Sequence, residues 1–147
     1  MSLPVGLTEG AGWEIGVSRT IPYRVDDVWA MLTAPHGLAR WLGPLDELPT
    51  VPGTAYRTAE GTTGELRSRH ERERLRLTWR PPGGEESTVQ VAVSPEGEGR
   101  TRLRFHQERL RNAEERERQR ARWKRVLDGI EEALRATPRA AGGPTPS

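Results

Sequence analysis

The three histidines are the side chains best suited to proton transfer near neutral pH in this chain of 147 residues. His36 stands in a Pro-His-Gly segment that we expect to be an exposed, helix-breaking loop. His106 alternates with Phe105 in a predicted strand and therefore faces outward. His70 shares the parity of Leu66, which places it on the inward face unless a bulge reverses the phase. His70 is thus the candidate acid or base, and a solvent-facing turn residue is the alternative.

Other chemistries find little support among the side chains. The chain has no cysteine, which excludes disulfides, thiolate nucleophiles and cysteine-ligated zinc. Its histidines and carboxylates do not have the spacing of a known metal motif, and it contains neither a G-x-S-x-G segment nor a phosphate-binding loop. We therefore predict no catalytic residue, no metal and no cofactor, and we favour a binding module over an enzyme.

A group of polar side chains adjoins the apolar stripe of the predicted C-terminal helix. Arg116, Gln119 and Arg120 lie on the face that carries Trp123. Because an unpaired buried guanidinium is costly, these arginines must reach water or meet an acid. The favoured interpretation is a helix that is solvated all round at this point. The alternative is an entrance that prefers a carboxylate or another anionic group.

The outer face of the predicted sheet is rich in arginine. Interspersed glutamates make cross-strand ion pairs the default interpretation, and a docking surface for an acidic partner is the alternative. The arginines predicted to face outward are Arg67, Arg69, Arg74, Arg76, Arg102 and Arg104.

Composition restricts the remaining functions. Charged residues of both signs make up 30% of the chain, apolar residues make up 33%, and the formal net charge is only +2. This balance disfavours nucleic-acid binding, which needs clustered positive charge. No apolar run approaches the roughly 20 residues of a membrane span, and no secretory signal is evident. We therefore expect a cytoplasmic protein.

The elements that position these side chains follow from hydrophobic periodicity. Several segments alternate with period two and predict an antiparallel sheet with one apolar face. Two short helical segments follow the first strand, and a long helical segment over 112–136 has an apolar stripe. The predicted strands are WEIGVSRTI, GTAYRT, GELRSR, RLRLTWR, STVQVAV and TRLRFHQ, the short helices are VDDVWAMLT and LARWLG, and the stripe is Trp123, Val126, Leu127, Ile130 and Leu134.

Taken together, these elements resemble the domain family named after the activator of the heat-shock protein 90 ATPase. That family belongs to the START-like, or SRPBCC, superfamily, which also holds polyketide cyclases and lipid-transfer domains. The resemblance covers about residues 14–135 and depends on the stretches VWAMLT, LARWLGP, RLRLTWR and RWKRVL. It implies an α+β helix-grip fold, in which a curved antiparallel sheet wraps around a long C-terminal helix and two short helices follow the first strand. It also implies a cavity between sheet and helix, but no particular reaction.

We predict one such domain over residues 13–136, with a flexible lead-in over 1–12 and a disordered tail over 137–147. Its expected function is to bind a small apolar or amphipathic molecule between the sheet and the long helix. A cyclase- or hydrolase-like enzyme and a chaperone-activator-like or regulatory interaction module are the alternatives, and a homodimer or another protein partner stays open. The residues expected to contact the ligand are Trp41, Tyr56, Trp79, Val91, Phe105, Gln119, Arg120 and Trp123. We further expect Trp79 and Trp123 to be buried and close together.

Overall fold

The computed structural model describes residues 7–8 and 12–137, and the elements follow the predicted α+β order. Most of the predicted lead-in, and the predicted tail beyond residue 137, lie outside the described residues, although residues 7–8 form a short strand. The elements are β1 (Leu7–Thr8), β2 (Gly12–Ile21), α1 (Val25–Thr33), α2 (Pro35–Trp41), β3 (Ala55–Arg57), β4 (Thr63–His70), β5 (Arg74–Trp79), β6 (Ser87–Pro95), β7 (Thr101–Leu110) and α3 (Ala113–Ala136).

The described strands form one antiparallel sheet in the order β1-β2-β7-β6-β5-β4-β3. Strands β3 to β7 are neighbours in sequence and in space, whereas β2 pairs with β7 from the other end of the chain. Helices α1 and α2 stand between β2 and β3 in the sequence and pack against α3. This is the helix-grip fold that the sequence predicts: a curved sheet around a long C-terminal helix.

Alternation along the central strands separates a dry face of the sheet from a wet one. On the dry face, Val91 of β6 is paired with Leu75 of β5 and Phe105 of β7, and all three are at most 1% exposed. α3 covers this face with the predicted stripe, of which Trp123 and Ile130 are at most 1% exposed. The core therefore lies between the inner face of the sheet and α3.

The N-terminus of α3 is fixed by a side-chain cap. The Asn112 side chain accepts a hydrogen bond from the Glu115 amide at 2.8 Å, which satisfies one of the unpaired donors of the first turn. Glu114 and Glu115 place negative charge beside the positive end of the helix dipole. The cap and the two carboxylates therefore stabilise the first turn of α3.

The structure corrects the prediction of a helix-breaking loop at Pro35-His36-Gly37. Helix α2 begins at Pro35, because proline is well suited to the first turn, where its missing N–H costs nothing. His36 is exposed in that turn, as expected. Gly37 is buried against α1: a Cβ there would lie 1.6 Å from the Met31 carbonyl oxygen. Gly37 therefore allows α1 and α2 to pack closely against each other, and it does not form a loop.

The structure also reverses the predicted orientation of His70. Leu66 is paired with Leu77, but Ser68 is paired with Arg76, so one extra residue interrupts β4. This bulge changes the parity of everything that follows it. Arg69, which was predicted to face outward, is paired with the inward Leu75 and lies on the inner side of the sheet. His70 is consequently exposed, and the case for a histidine inside the core disappears.

Candidate functional site

The candidate site lies at one end of the interface between the sheet and α3. Four elements meet there: β5 ends at Trp79, β6 begins at Ser87, α2 ends at Trp41, and the middle of α3 supplies Gln119 and Trp123. Aromatic rings and polar groups are mixed at this end, whereas the rest of the interface is aliphatic. Such a mixture of apolar walls and few polar groups is typical of ligand sites.

A buried glutamine organises the polar groups of this region. Gln107 of β7 is fully buried, and its Oε1 accepts hydrogen bonds from Gln119 Nε2 and Trp123 Nε1, each at 2.8 Å. Its Nε2 donates to Ser87 Oγ at 2.8 Å, and Ser87 Oγ donates to the Trp79 carbonyl oxygen at 3.4 Å. The amide of Gln107 thus has its oxygen and its nitrogen paired, as a buried polar group requires.

Three of the residues predicted to line a cavity form an aromatic cluster, in which Phe105 and Trp123 are stacked and Trp41 is tilted against Phe105. The Phe105 ring lies parallel to Trp123 with 4.7 Å between centroids, and Trp41 lies 6.1 Å from Phe105. All three are at most 1% exposed, and Trp41 Nε1 donates to the Leu32 carbonyl oxygen at 2.8 Å. Two more of the set, Val91 and Tyr56, also belong to the packed core.

The hydroxyl of Tyr56 makes one short hydrogen bond to the backbone. Its hydroxyl donates to the Thr78 carbonyl oxygen at 2.6 Å, and its ring is 5% exposed. Burial raises the pKa of Tyr56 well above its usual value, and the charge of Glu86 adds to the rise. The hydroxyl is therefore a neutral donor that is already in use.

The remaining predicted residues differ in their exposure. Gln119 is partly buried in the network around Gln107, whereas Arg120 is exposed on α3. Arg116, one turn earlier, donates to the Glu14 carbonyl oxygen at 2.7 Å and pairs with Glu117 at 3.0 Å. Arg116 thus meets a carbonyl and a carboxylate, and Gln119 is partly buried, so the favoured interpretation of a helix solvated all round holds for Arg120 but not for these two.

Arg122 is the charged residue of this site, and the sequence-based prediction missed it. Its guanidinium carbon lies 4.5 Å from the centroid of Trp123 and 5.1 Å from that of Trp79, so the cation bridges the two rings. The tryptophans that were expected to touch are instead joined through Arg122, and Trp79 is only partly buried. Arg122 Nη2 donates to the Trp41 carbonyl oxygen at 3.2 Å.

Two buried donors at this site have no acceptor within the described part of the chain. They are Arg122 Nη1 and Trp79 Nε1. No carboxylate among the described residues forms an ion pair with Arg122, and burial lowers its pKa, with the like charge of Arg125 adding to the shift. Buried hydrogen-bond donors in proteins are almost always paired with an acceptor. Two unpaired buried donors in the same region are therefore unusual.

Signals for the two missed residues were present in the sequence. Gln107 continues the inward parity of Leu103 and Phe105, so alternation alone places it in the core. Arg122 stands three residues after Gln119 and four before Val126, which puts it on the same helix face. In both cases a polar residue stands at a position where the pattern otherwise carries apolar side chains.

The outer face of the sheet presents a different arrangement of charge. Arg76 pairs with Glu108 at 2.9 Å, and His106 Nε2 lies 2.6 Å from Glu14 Oε1. Arg74 and Arg104 are paired in register with Ala92 from opposite sides, and neither forms an ion pair within the described residues. An open depression of about 430 Å³, here called the outer groove, lies beside them and is lined by Gly16, Val17, Ser18, Gln90, Ala92, Arg104, Phe105 and His106.

Two properties of the described residues bear on metal binding and on membrane insertion. Within residues 7–8 and 12–137, no cluster of three histidines or carboxylates could hold a metal ion. None of the described helices is long and apolar enough to cross a membrane.

Comparison with known proteins is consistent with this geometry. The model of the family described as "Activator of Hsp90 ATPase homolog 1-like protein" matches residues 22–135. No curated protein matches the chain.

Among solved structures, CalU16 from Micromonospora echinospora is 23% identical with a TM-score of 0.72, over 85% of this chain and 79% of that one. DynU16, a putative protein in the dynemicin biosynthetic locus, is 25% identical with a TM-score of 0.71; the match covers 83% of this chain but only 47% of DynU16. A Plasmodium falciparum protein described as an HSP90 activator is 18% identical with a TM-score of 0.69, over 84% of this chain and 96% of that one. These likenesses establish the helix-grip fold.

Proposed function

The chain belongs to the family of Activator of Hsp90 ATPase homolog 1-like proteins, and from this premise we propose that it is a non-catalytic module that binds a small apolar or amphipathic molecule. The molecule would enter between the sheet and α3 at the end where Trp79, Gln119 and Trp123 meet. The proposal includes the domain limits 13–136 and a cytoplasmic location.

The observation that carries this proposal is the indole N–H of Trp79. It is buried and has no acceptor in the described chain, although the neighbouring indole of Trp123 and the amide of Gln107 are fully engaged. An unpaired buried N–H costs about 1–3 kcal/mol, which a ligand oxygen would recover. A molecule with an acceptor at one end and an apolar body would thus gain most at this place.

The packing of the rings determines how such a molecule would be held. Trp41 and Trp123 both pack against Phe105, so the apolar body would lie against the partly exposed Trp79 ring or displace side chains around it. Trp79, Gln119 and Trp123 are therefore the predicted contacts nearest the entrance. Trp41, Tyr56, Val91 and Phe105 would support them from the core, and Arg120 would remain at the rim.

The same region supports binding over a cyclase or hydrolase. Such enzymes need a group that can gain or lose a proton beside the substrate. His36 and His70 are exposed, and His106 is on the outer face. Tyr56 is the buried hydroxyl closest to this role, but it already donates to a carbonyl and burial raises its pKa.

A matched pair of probes tests the proposal: octanoate and 1-octanol share an apolar chain and differ in the polar end. We expect at least one of them to raise the melting temperature and to change the tryptophan fluorescence, because binding to the native state stabilises it by mass action. Replacing Trp79 with phenylalanine should weaken that binding. If neither probe shifts either signal up to its solubility limit, the ligand-binding function is wrong.

A second candidate function, a protein-interaction module, is favoured by a specific feature of the outer face. Arg74 and Arg104 flank the small Ala92 on neighbouring strands, about 10 Å apart by strand spacing, and neither has a carboxylate partner in the described chain. An acidic segment of a partner protein would complement them. One structure of the same fold is described as an HSP90 activator, which suggests the partner to test.

The test of this second function measures the ATPase rate of purified Hsp90 with and without the protein. A stimulation that is lost when Arg74 and Arg104 are both changed to glutamate, but kept in the Trp79→Phe variant, would support it. No stimulation by the wild-type protein would remove it as an Hsp90 activator.

A further inference from the structure

Arg122 is a partly buried cation whose Nη1 is fully buried, and no carboxylate in the described chain forms an ion pair with it. Its guanidinium stacks on Trp79 and Trp123 and donates once, to the Trp41 carbonyl oxygen. Indole faces attract a cation, but they do not accept a hydrogen bond along the N–H direction as an oxygen does. Nη1 is left buried without a partner.

The carboxylates nearby on α3 serve other arginines. Asp128 and Glu131 both bind Arg19 of β2, at 2.7 and 3.3 Å, and Glu117 binds Arg116. The charged group that affects Arg122 is another cation, Arg125. A guanidinium held partly out of water, with one N–H group buried and no counter-ion, is unfavourable, so its presence favours an anion that the described chain does not supply.

From this arrangement, and resting on the proposed function, we propose that the ligand of the site carries a carboxylate, which Arg122 Nη1 and Trp79 Nε1 hold together. Both groups are donors only, and a carboxylate is acceptor only, with two oxygens that can each receive one of the two hydrogen bonds. The apolar remainder of the ligand would lie against the indole rings.

The burial of the two donors argues for a carboxylate over a larger oxyanion. Only two N–H groups at this site are unpaired in the described chain, so a third or fourth oxygen would be buried without a donor. The surrounding indoles and the satisfied Gln107 network offer no additional hydrogen bond to such an oxygen. A monoanion with two acceptor atoms therefore matches the site in both charge and hydrogen bonding.

Affinities for octanoate, 1-octanol and octyl sulfate, measured by titration calorimetry with the whole protein, test this proposal. We expect wild-type protein to bind octanoate at least about tenfold more tightly than the other two. Arg122→Gln should remove the preference for octanoate over octanol. Arg125→Gln, a loss of one cation from an exposed position on the same helix, should keep it.

The outcomes separate this proposal from the one on which it rests. Equal binding of octanoate and octanol by the wild-type protein, or an unchanged preference in Arg122→Gln, would overturn carboxylate recognition while ligand binding itself stands. Octyl sulfate binding as tightly as octanoate would overturn the assignment to a carboxylate. Binding of none of the probes would end both proposals.

A second variant covers the case in which Arg122→Gln does not fold, which circular dichroism would reveal. Trp79→Phe removes the N–H donor and keeps an aromatic ring, and we expect it to lower octanoate affinity about threefold to tenfold. It should lower octanol affinity less, because a hydrogen bond to a carboxylate is stronger than one to a neutral hydroxyl oxygen. An equal loss for both probes would contradict the role of Trp79 as a donor to the carboxylate.

Discussion

The two faces of the sheet use arginine in opposite ways. On the outer face, Arg76 lies 2.9 Å from Glu108 and Arg102 lies 3.9 Å from Glu96, so cations stand beside carboxylates and water can solvate the rest. On the inner face, Arg122 has two aromatic rings and one carbonyl oxygen but no carboxylate in the described chain. On the outer face, water solvates an unpaired charge, so the charge destabilises the fold little. On the inner face, water is largely excluded, so an unpaired charge is destabilising. An unpaired arginine is therefore informative on the inner face and ordinary on the outer one.

The largest expected effect sets a fully buried ring against an outer side chain. Changing Trp123 to alanine should lower the free energy of unfolding by about 3–5 kcal/mol, because it removes a stacked ring and leaves Gln107 with one donor fewer. Trp79→Ala should cost less, since Trp79 is partly exposed and its N–H is unpaired. Arg104→Ala on the outer face should change stability by no more than about 0.5 kcal/mol. Urea denaturation of the three variants measures this order, and a Trp123→Ala protein as stable as Arg104→Ala would contradict the assignment of the two faces.

Two glycines on opposite faces of the sheet sharpen the comparison. A Cβ at Gly64 would lie 2.1 Å from the Thr78 carbonyl oxygen and 2.6 Å from the Tyr56 ring, so Gly64→Ala should cost about 1–3 kcal/mol through overpacking. A Cβ at Gly16 would meet its nearest atom, of His106, at 3.6 Å, which is ordinary contact. Gly16→Ala should therefore be nearly neutral. Thermal melts of the pair test the difference, and equal melting temperatures would mean that β4 and Tyr56 pack less tightly than described.

Replacing the inner arginine should stabilise the protein and impair its binding. Arg122→Met keeps much of the apolar contact with the two indoles and removes an unpaired buried charge, so we expect a gain of about 1–2 kcal/mol. Arg76→Met on the outer face removes one partner of an ion pair and should cost up to about 1 kcal/mol. Opposite signs in the two melts are the expected result. A clear destabilisation by Arg122→Met would indicate that Arg122 holds the fold together through its contacts, and would weaken its assignment to a ligand.

The smallest effect concerns acid and the ion pair of Arg69 with Glu71, where β4 turns into β5. The hydrogen bond from Arg69 lowers the pKa of Glu71, and the Trp29 indole also donates to this carboxylate. Because the folded-state pKa is depressed, the pair stabilises the protein above the ordinary pKa of a glutamate, about 4.3, and that contribution is lost as pH falls through the folded-state value. Glu71→Gln should cost a few tenths to about 1 kcal/mol at pH 7 and very little in acid. Stability measured from pH 7 down to pH 3 checks this, and a cost that stays the same across the range would exclude the ionised pair as its cause.

The fold could be predicted because its main signals are local and repeated. Strand alternation in RLRLTW and STVQVAV and the stripe from Trp123 to Leu134 each involve several residues that agree with one another. A single residue that departs from such a long pattern does not change whether the segment is predicted as a strand or as a helix. The errors occurred where a single residue decided the result: the bulge after Leu66 reversed His70, and Pro35 began a helix where a break was expected.

The candidate site was harder to predict because it depends on a few polar residues at the margins of those patterns. Gln107 could have been placed in the core from its parity, and Arg122 on the correct helix face from its spacing. Their partners could not have been found in this way. Whether an arginine at the edge of an apolar stripe turns toward water or toward the sheet depends on the neighbouring element, and its long side chain can reach either.

The sequence by itself determined the antiparallel sheet and the covering helix, since both follow from periodicities that the backbone geometry of strands and helices imposes on the side chains. It indicated the family through the resemblance of several stretches between residues 14 and 135. Only the tertiary structure decided that Trp79 from the end of β5, Arg122 from the middle of α3 and the carbonyl of Trp41 from the end of α2 meet at one place. Trp41 and Arg122 are 81 positions apart along the chain. Their juxtaposition is set by how two helices pack on the sheet, and no local pattern records whether a buried donor finds an acceptor there.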